Sequence, residues 1–313
     1  MICLGRYGEM SRRVLVVGGS GFIGRHVVKK FIEEGYEVQS ISLNGKNNYI
    51  DVNQSLDFTN REDVKLFFKN NFYDYIVNCS GYIDHSVFSD SGFDIINSHF
   101  IVLLNIFSSI NINKLKKFIN IGSSDEYGNA PAPQKEIFRE SPFSPYSFSK
   151  TASSHFLQML YLTEKVPTVS LRVFLTYGPT QDDKRFIPQV INGAIVGKKF
   201  KTSFGDQIRD FCFIDDVVNA IFLCLNNDKV NGQVLNIGSG IPIKIKDVIN
   251  QVCNLIGSGT PIFGAIPYRT GENMALYPDI NKAKKLLKWK SKISLREGMI
   301  KTINYYKDLH GKK

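Results

Sequence analysis

Residues 14–24, VLVVGGSGFIG, constrain the fold of this chain more than any other stretch. Four apolar, mostly β-branched residues at 14–17 are typical of a fully buried strand, and the glycines that follow predict a tight turn. Val27, Val28 and Phe31 then recur at helical spacing. A strand that enters a helix through a glycine turn presents backbone N–H groups and the positive end of the helix dipole. These residues therefore predict a pyrophosphate site in a first βα unit.

The glycines of this turn are spaced three residues apart, at Gly18, Gly21 and Gly24. This spacing differs from the G-x-G-x-x-G form that is usual in the dinucleotide fold, and glycines also serve ordinary tight turns. The position of the turn in a first βα unit nevertheless favours a bound dinucleotide. We expect Gly18, Gly21, Phe22 and Ile23 to contact it.

The second predicted strand, residues 36–43, ends without a carboxylate. In dinucleotide folds an acid at this place usually holds the adenosine ribose of NAD. This chain has Ser42, Asn44 and Lys46 there, which leave room for a 2′-phosphate. The loop therefore favours NADP(H) over NAD(H) as cofactor, unless it is simply a polar loop, and we expect Ser42 and Asn44 to contact the cofactor.

Strands and helices alternate from the first unit to about residue 179, which indicates a parallel sheet covered on both faces. Asp57 and Phe58 precede the second helix and are expected to contact the adenine. Further strands are predicted at 74–79, 115–121 and 169–174, and helices at 60–71, 94–110 and from about 146 onward. The predicted fold is α/β: a Rossmann-type doubly wound parallel sheet with a smaller mixed α/β C-terminal substrate lobe.

The predicted domain organisation follows from where this alternation stops. An N-terminal extension spans 1–10, and a dinucleotide-binding domain spans 11–179, with segments returning to it at about 207–238. Residues 180–206 and 239–313 form the substrate lobe.

Composition excludes several functional classes. The formal charge is +10, but no short basic run is interleaved with aromatic residues as a single-strand nucleic-acid binder needs. A positive field also suits a small anionic substrate. Five cysteines lack metal-like pair spacing and are expected as reduced thiols (Cys3, Cys79, Cys212, Cys224 and Cys253). Without a signal-peptide pattern or a long apolar stretch, we expect a cytoplasmic protein with no metal, membrane or nucleic-acid partner.

A tyrosine and a lysine lie four residues apart at the start of a predicted helix, at Tyr146 and Lys150, and so share one helix face. A nearby ammonium lowers a tyrosine pKa, which makes Tyr146 a usable general acid/base, and Lys150 can also hold the nicotinamide ribose. Ser123 follows a strand at the ligand-binding edge of the sheet. We predict Ser123, Tyr146 and Lys150 as the catalytic set, and we expect Tyr146 and Lys150 to contact the cofactor as well. A surface pair for Tyr146 and Lys150, and a capping role for Ser123, are the alternatives.

Further motifs extend this pattern from Arg13 to about Tyr305. They are Asn97, Tyr127-Gly128, Arg172-Val173-Phe174, Tyr177-Gly178-Pro179, Arg209-Asp210-Phe211, Asp215-Asp216-Val217, Asn236-Ile237-Gly238, Tyr268-Arg269, Gly271-Glu272, Asp279-Ile280 and Lys282-Ala283. Together with the glycine turn and the catalytic set, they resemble the extended short-chain dehydrogenase/reductases, in the branch that acts on nucleotide sugars.

This resemblance implies a nucleotide-diphosphate sugar as substrate and a homodimer that pairs two helices per subunit, at 94–110 and 144–164. Ser124 and Asp125 would contact the substrate, and Arg209 and Arg269 would grip its pyrophosphate. Arginine suits that role because its planar fork of donors matches phosphate oxygens. An internal salt bridge from Arg209 to the carboxylate at 210 or 215 is the alternative.

Three reactions are common in this branch: 4-epimerisation, 4,6-dehydration and reduction of a 4-keto sugar. Dehydratases of the family eliminate water with an adjacent Asp-Glu pair. Counting back from Tyr127 puts Ser124 and Asp125 at the places of those two acids. Asp125 and Glu126 are then one residue out of register, which along a strand turns each side chain to the opposite face. The register disfavours a dehydratase.

Segments 186–189 and 205–211 are similar to reductases that act on CDP-4-keto sugars. With the missing acid after the second strand, they favour an NADPH-dependent 4-ketoreductase acting on a 4-keto-6-deoxy nucleotide sugar for surface polysaccharides. A 4-epimerase is the next candidate and a 4,6-dehydratase with retained NAD the third. A sensor or scaffold that only binds cofactor is disfavoured, because such proteins typically lose the catalytic tyrosine or lysine and this chain keeps both.

Overall fold

A computed structural model of the chain describes residues 12–43, 53–268 and 271–311. The predicted extension at 1–10 and the predicted site residues Asn44, Lys46 and Arg269 lie outside the described residues. The strands are β1 (Arg13–Val17), β2 (Glu37–Ser42), β3 (Asn53–Ser55), β4 (Tyr75–Asn78), β5 (Lys117–Ser123), β6 (Thr168–Val173), β7 (Leu175–Tyr177), β8 (Lys199–Lys201), β9 (Ile208–Phe213), β10 (Gln233–Ile237), β11 (Pro242–Lys244), β12 (Thr260–Ile262) and β13 (Ala275–Leu276).

The helices include one long segment with irregular hydrogen bonding. The α-helices are α1 (Phe22–Glu33), α2 (Arg61–Asn70), α3 (Phe93–Ile96), α4 (Val102–Phe107), α5 (Pro145–Glu164), α6 (Phe186–Ile195), α7 (Ile214–Cys224), α8 (Ile245–Ile256), α9 (Asn281–Leu287) and α10 (Leu295–Gly311). A π-helical turn at Phe88–Gly92 leads into α3, and a second at Asn97–Ile101 joins α3 to α4, so that residues 88–107 form one helical segment. The helix predicted at 94–110 is therefore longer at its start and ends three residues earlier.

Seven parallel strands form the central sheet, in the order β10-β6-β5-β4-β1-β2-β3. Helices α1 and α7 contact each other, and α2, α4 and α5 pack with the second core cluster. The strand order reverses between β1 and β4, and ligands of doubly wound sheets bind outside the carboxyl ends of the strands at this point. The prediction of a Rossmann-type α/β fold is confirmed.

Burial of β1 on both faces explains its uninterrupted apolar sequence. Val14 and Val16 belong to one core cluster, whereas Leu15 and Val17 belong to the other. Successive strand side chains point to opposite faces, so a strand covered by helices on both sides needs apolar residues at every position.

A small mixed sheet of β11, β9 and β13, with β7 also paired to β9, lies beside the central sheet. The segment expected to return to the central sheet from about residue 207 is therefore divided. Strand β9 belongs to the small sheet, while β10 pairs with β6 at the edge of the large one. Among the described helices, each is too short or too polar to cross a membrane.

Candidate active site

The glycine turn between β1 and α1 has the shape of a phosphate cradle. Gly18 adopts φ +78°, and a Cβ there would lie 2.7 Å from the Cys79 carbonyl oxygen. A Cβ on Gly24 would lie 2.2 Å from the Gly18 oxygen, so α1 packs directly against the turn. Gly21 occupies the N-cap of α1 and has no side chain to satisfy the first N–H groups. These residues fit a pyrophosphate, which would accept hydrogen bonds from the backbone N–H groups.

The residues predicted to contact the adenosine half differ in what their side chains can do. Ser42 ends β2, and its hydroxyl accepts a hydrogen bond from the Ser20 N–H at 2.9 Å. Asp57 is exposed, and its carboxylate accepts from the backbone and hydroxyl of Thr59. The Phe58 ring is buried against Phe67, so only its backbone remains for an adenine contact.

The predicted catalytic residues come together at the carboxyl edge of the central sheet. Ser123 is the last residue of β5, and Tyr146 and Lys150 lie on the first turns of α5. The Lys150 Nζ lies 6.0 Å from the centre of the Tyr146 ring and donates to the Ile121 carbonyl at 2.8 Å. All three side chains are buried, so their positions are fixed by packing.

Burial controls the proton affinity of this set. It raises the pKa of Tyr146 above its ordinary value, and the Asp125 charge raises that pKa further, while a hydrogen bond with Ser123 opposes both. Burial lowers the pKa of Lys150 to about 8. The expected lowering of the Tyr146 pKa is therefore wrong, because desolvation by burial is the dominant effect on the phenol.

The segment after Ser123 is a 3-10 turn, Ser124–Tyr127, rather than a continuation of the strand. Ser123 caps this turn: its hydroxyl accepts from the Asp125 N–H at 3.1 Å. Glu126 reaches back and accepts from the Ser123 N–H at 2.9 Å. The argument from strand alternation is therefore wrong at this point, because β5 ends before the two acids. The alternative capping role of Ser123 coexists with its place beside Tyr146.

Glu126 is fully buried in an ion-pair network. Its carboxylate accepts from the Arg172 Nε at 2.7 Å and from the Ser154 hydroxyl at 2.9 Å. Arg172 also pairs with Glu140. A carboxylate held by these donors structures the end of β5 and is not presented to a substrate.

Asp125 has the opposite surroundings and faces the catalytic tyrosine. Its Oδ2 lies 3.7 Å from the His85 Nε2, and both side chains are partly exposed. The His85 ring packs edge-on against Tyr146, with the ring centres 5.6 Å apart. Arg185, at the N-cap of α6, also acts on Tyr146, since its charge lowers the pKa of that phenol. Sequence reasoning missed His85 and Arg185, because neither lies in a motif with the catalytic set.

Arg209, predicted to bind the substrate pyrophosphate, forms an ion pair within the protein. Arg209 pairs with Glu272 and donates to the Ile208 carbonyl at 2.9 Å. The alternative partner Asp210 instead accepts from the residues at 239–241. Of the other predicted substrate contacts, Ser124 is buried in the 3-10 turn.

His99 is a second site residue that the sequence did not single out. It lies in the π-helical turn that begins at Asn97, a motif residue two positions earlier. Its ring packs edge-on against Tyr146 at 5.1 Å between centres. The sequence signal that could have indicated His99 is its position two residues after the motif residue Asn97.

Comparison with known proteins places this geometry in a family. The profile of the NAD dependent epimerase/dehydratase family matches residues 14–238. The chain belongs to this family. A dTDP-glucose 4,6-dehydratase of Escherichia coli is 27% identical, with 94% of this chain and 92% of that protein covered. A Methanocaldococcus jannaschii protein provisionally named a UDP-glucose 4-epimerase is 29% identical, with 94% and 98% covered.

A solved structure in this family extends the likeness to three dimensions. The UDP-glucose 4-epimerase of Thermotoga maritima, solved with UDP-glucose, has a TM-score of 0.88 and 25% identity, with 95% of this chain and 99% of that chain covered. The family inferred from the motifs is thereby confirmed. The closer likeness to CDP-4-keto sugar reductases stays a prediction.

Proposed function

We propose that this chain transfers hydride at carbon 4 of the sugar in a nucleotide-diphosphate sugar, without eliminating water. The observation that carries the proposal is the environment of Glu126. The resemblance implies that a 4,6-elimination uses an adjacent pair of acids, whereas one of the two adjacent acids of this chain, Glu126, is fully buried and paired with Arg172. Asp125 is the partly exposed acid of the two, and its carboxylate lies 3.7 Å from the His85 Nε2 beside Tyr146.

Each catalytic residue has a distinct role in this reaction. Tyr146 exchanges the proton of the oxygen on carbon 4, and the Ser123 hydroxyl shares that oxygen through a hydrogen bond. Lys150, charged below its pKa of about 8, fixes the nicotinamide ribose and stabilises negative charge on the phenol. The bound nicotinamide dinucleotide supplies or accepts the hydride. Burial of all three side chains excludes water from the reacting atoms.

Within this chemistry, reduction of a 4-keto-6-deoxy nucleotide sugar is the function that the site supports best. Burial, and after it the charge of Asp125, raises the pKa of Tyr146, so the phenol is protonated at neutral pH. A protonated phenol is the form that a reductase needs, because the alkoxide formed at carbon 4 must receive a proton.

4-Epimerisation is the second candidate, and the comparisons favour it. Two of the similar proteins described above carry the name UDP-glucose 4-epimerase, and one of them covers nearly the whole fold. An epimerase uses the same three residues, but Tyr146 must then work first as a base and later as an acid. The dehydratase named among the relatives supports the substrate class, a nucleotide sugar, rather than the elimination step.

The family description names NAD, so NAD(H) is the first cofactor to test. The preference for NADP(H) stays a prediction, since it rests on Ser42 and on Asn44 and Lys46 outside the described residues. We propose that Arg209, whose guanidinium is paired with Glu272, binds the substrate pyrophosphate. Arg269 is proposed to share that role on sequence grounds alone.

The experiment is product analysis by mass spectrometry after incubation with NADPH or NADH and a panel of 4-keto-6-deoxy nucleotide sugars. A product heavier by two hydrogens supports the reductase. An isomer of unchanged mass, formed from a fully hydroxylated sugar without added reduced cofactor, supports the epimerase instead. Tyr146→Phe should abolish either product while leaving cofactor binding intact, and unchanged turnover in this variant contradicts the proposal.

A further inference from the structure

His99 is a buried histidine with one nitrogen that lacks a partner. Only 3% of the residue is exposed, and its Nδ1 is sealed from solvent with no hydrogen-bond partner among the described residues. A buried acceptor left in this state is costly, and such atoms in native structures usually await a ligand or a water. The Nδ1 of His99 therefore needs a donor that the described protein atoms do not supply.

The other ring nitrogen fixes the chemistry of this acceptor. The Nε2 lies 2.8 Å from the Tyr82 carbonyl oxygen, which can only accept, so Nε2 carries the proton. Nδ1 then presents a lone pair. Burial and the nearby Lys150 charge lower the pKa of His99 to about 3, which agrees with a neutral ring at working pH.

The position of the ring indicates which ligand would supply the donor. One side of the imidazole packs against Tyr146, and the other lies over Gly81, where a Cβ would approach the Nδ1 to 2.2 Å. Gly81 follows the carboxyl end of β4, beside the point where the strand order reverses. A dinucleotide whose phosphates lie in the glycine turn and whose reacting ring lies beside Tyr146 spans this place.

We propose that the Nδ1 of His99 accepts a hydrogen bond from the nicotinamide half of the bound dinucleotide, from either its ribose hydroxyl or its carboxamide N–H. This assignment rests on the proposed function only in requiring a nicotinamide dinucleotide. His99 thus acts as a positioning residue that orients the nicotinamide half against Tyr146. Lys150 alone has no means of providing this acceptor, because an ammonium only donates.

Two substitutions distinguish the contribution of the His99 Nδ1 acceptor from that of the aromatic ring that packs against Tyr146. His99→Phe keeps an aromatic ring against Tyr146 but removes both the Nδ1 acceptor and the Nε2 donor to the Tyr82 carbonyl. His99→Asn retains an oxygen near the place of Nδ1. His310→Phe, on the exposed end of α10, serves as the matched histidine control. The dissociation constants of NAD⁺, ADP-ribose and 5′-AMP are measured by calorimetry for each variant, and thermal unfolding is followed without ligand.

The proposal predicts that His99→Phe weakens NAD⁺ binding about tenfold, the effect of one lost hydrogen bond to a buried acceptor. His99→Asn should recover most of this loss, and 5′-AMP binding should be unchanged in both. Loss of ADP-ribose affinity in the phenylalanine variant assigns the ribose hydroxyl as donor, whereas loss for NAD⁺ alone assigns the carboxamide. Thermal unfolding of the unliganded variants checks only that they fold, because His99→Phe also removes the hydrogen bond from Nε2 to the Tyr82 carbonyl.

Unchanged NAD⁺ affinity in His99→Phe would overturn the proposal. Equal weakening of 5′-AMP binding would assign His99 a merely structural role and overturn it as well. These outcomes leave the proposed function untouched. A wild-type protein that binds 5′-AMP but neither NAD⁺ nor NADP⁺ would instead remove the hydride-transfer function itself.

Discussion

Two adjacent acids, Asp125 and Glu126, show how much one residue of separation changes a side chain's role. Glu126 is enclosed by Arg172 and Ser154, whereas Asp125 meets His85 at the site. Their partners lie between 28 and 46 residues away in the chain. Local spacing could therefore predict Ser123 and the pair on α5, but it could not predict these pairings.

The burial of Glu126 gives a prediction about stability. Glu126→Gln should lower the free energy of unfolding by about 1–3 kcal/mol, because it removes one of the two carboxylates paired with the buried Arg172 and leaves only Glu140. Asp125→Asn is the matched control at a partly exposed position and should change stability by about 0.5 kcal/mol. Urea titration of both variants measures the difference. A Glu126→Gln protein of full stability that loses only turnover would contradict the structural role of this carboxylate.

The depressed pKa of Lys150 gives a prediction about pH. The ammonium is the form that acts, so kcat/KM should fall as pH rises through about 8, where Lys150 loses its proton. Lys150→Arg keeps the charge at all accessible pH values and should remove this decline, although at lower activity. The pH profile of both proteins is the measurement. A wild-type profile that is flat up to pH 10 would be inconsistent with the account.

At the scale of elements, the spacing of apolar residues predicted most strands and helices. This was possible because burial of one or both faces of an element determines where apolar residues recur in its sequence. β1 and α1 are examples, and so is the Asn60 cap of α2, which accepts from the Glu62 and Asp63 N–H groups. What local sequence could not specify is which sheet a strand joins. β9 is as buried as a central strand, but its pairing with β11 and β13 depends on segments that follow it in the chain.

The βα turn gives a prediction at this scale. Gly24→Ala should weaken NAD(H) binding at least about tenfold, or about 1.4 kcal/mol, because the added Cβ displaces the Gly18 carbonyl and distorts the turn. Gly193→Ala, a helical glycine in α6 that meets only the Phe200 side chain, is the control and should bind normally. Fluorescence titration with NADH distinguishes them. Normal NADH affinity in Gly24→Ala would exclude this turn as the phosphate site.

At the scale of the whole molecule, the surface of α5 supports the proposed homodimer. Phe148, Met159 and Leu162 are exposed apolar residues whose spacing places them on one face of α5. Phe93, 68% exposed, lies on the neighbouring segment 88–107, which packs against α5. The family resemblance implied these two helices. Their apolar outer faces could not be assigned from sequence, because packing on the sheet explains apolar residues equally well.

This face leads to a test of oligomeric state. The wild-type protein should sediment as a dimer, and Leu162→Glu should produce a monomer, because a buried carboxylate without a partner is strongly unfavourable. Leu223→Glu, on the partly exposed side of α7, is the control and should remain dimeric. Sedimentation equilibrium of the three proteins decides the question. A monomeric wild-type protein would refute this interface.

The central claim is hydride transfer to carbon 4 without loss of water, and isotopic labelling tests it most directly. The protein is incubated with NADH or NADPH deuterated at the reacting carbon of the nicotinamide and with a 4-keto-6-deoxy nucleotide sugar, and the product is examined by NMR. The account predicts one deuterium on carbon 4 and none elsewhere on the sugar. A dehydrated product from a fully hydroxylated nucleotide sugar, with hydrogen delivered to carbon 6, would contradict it.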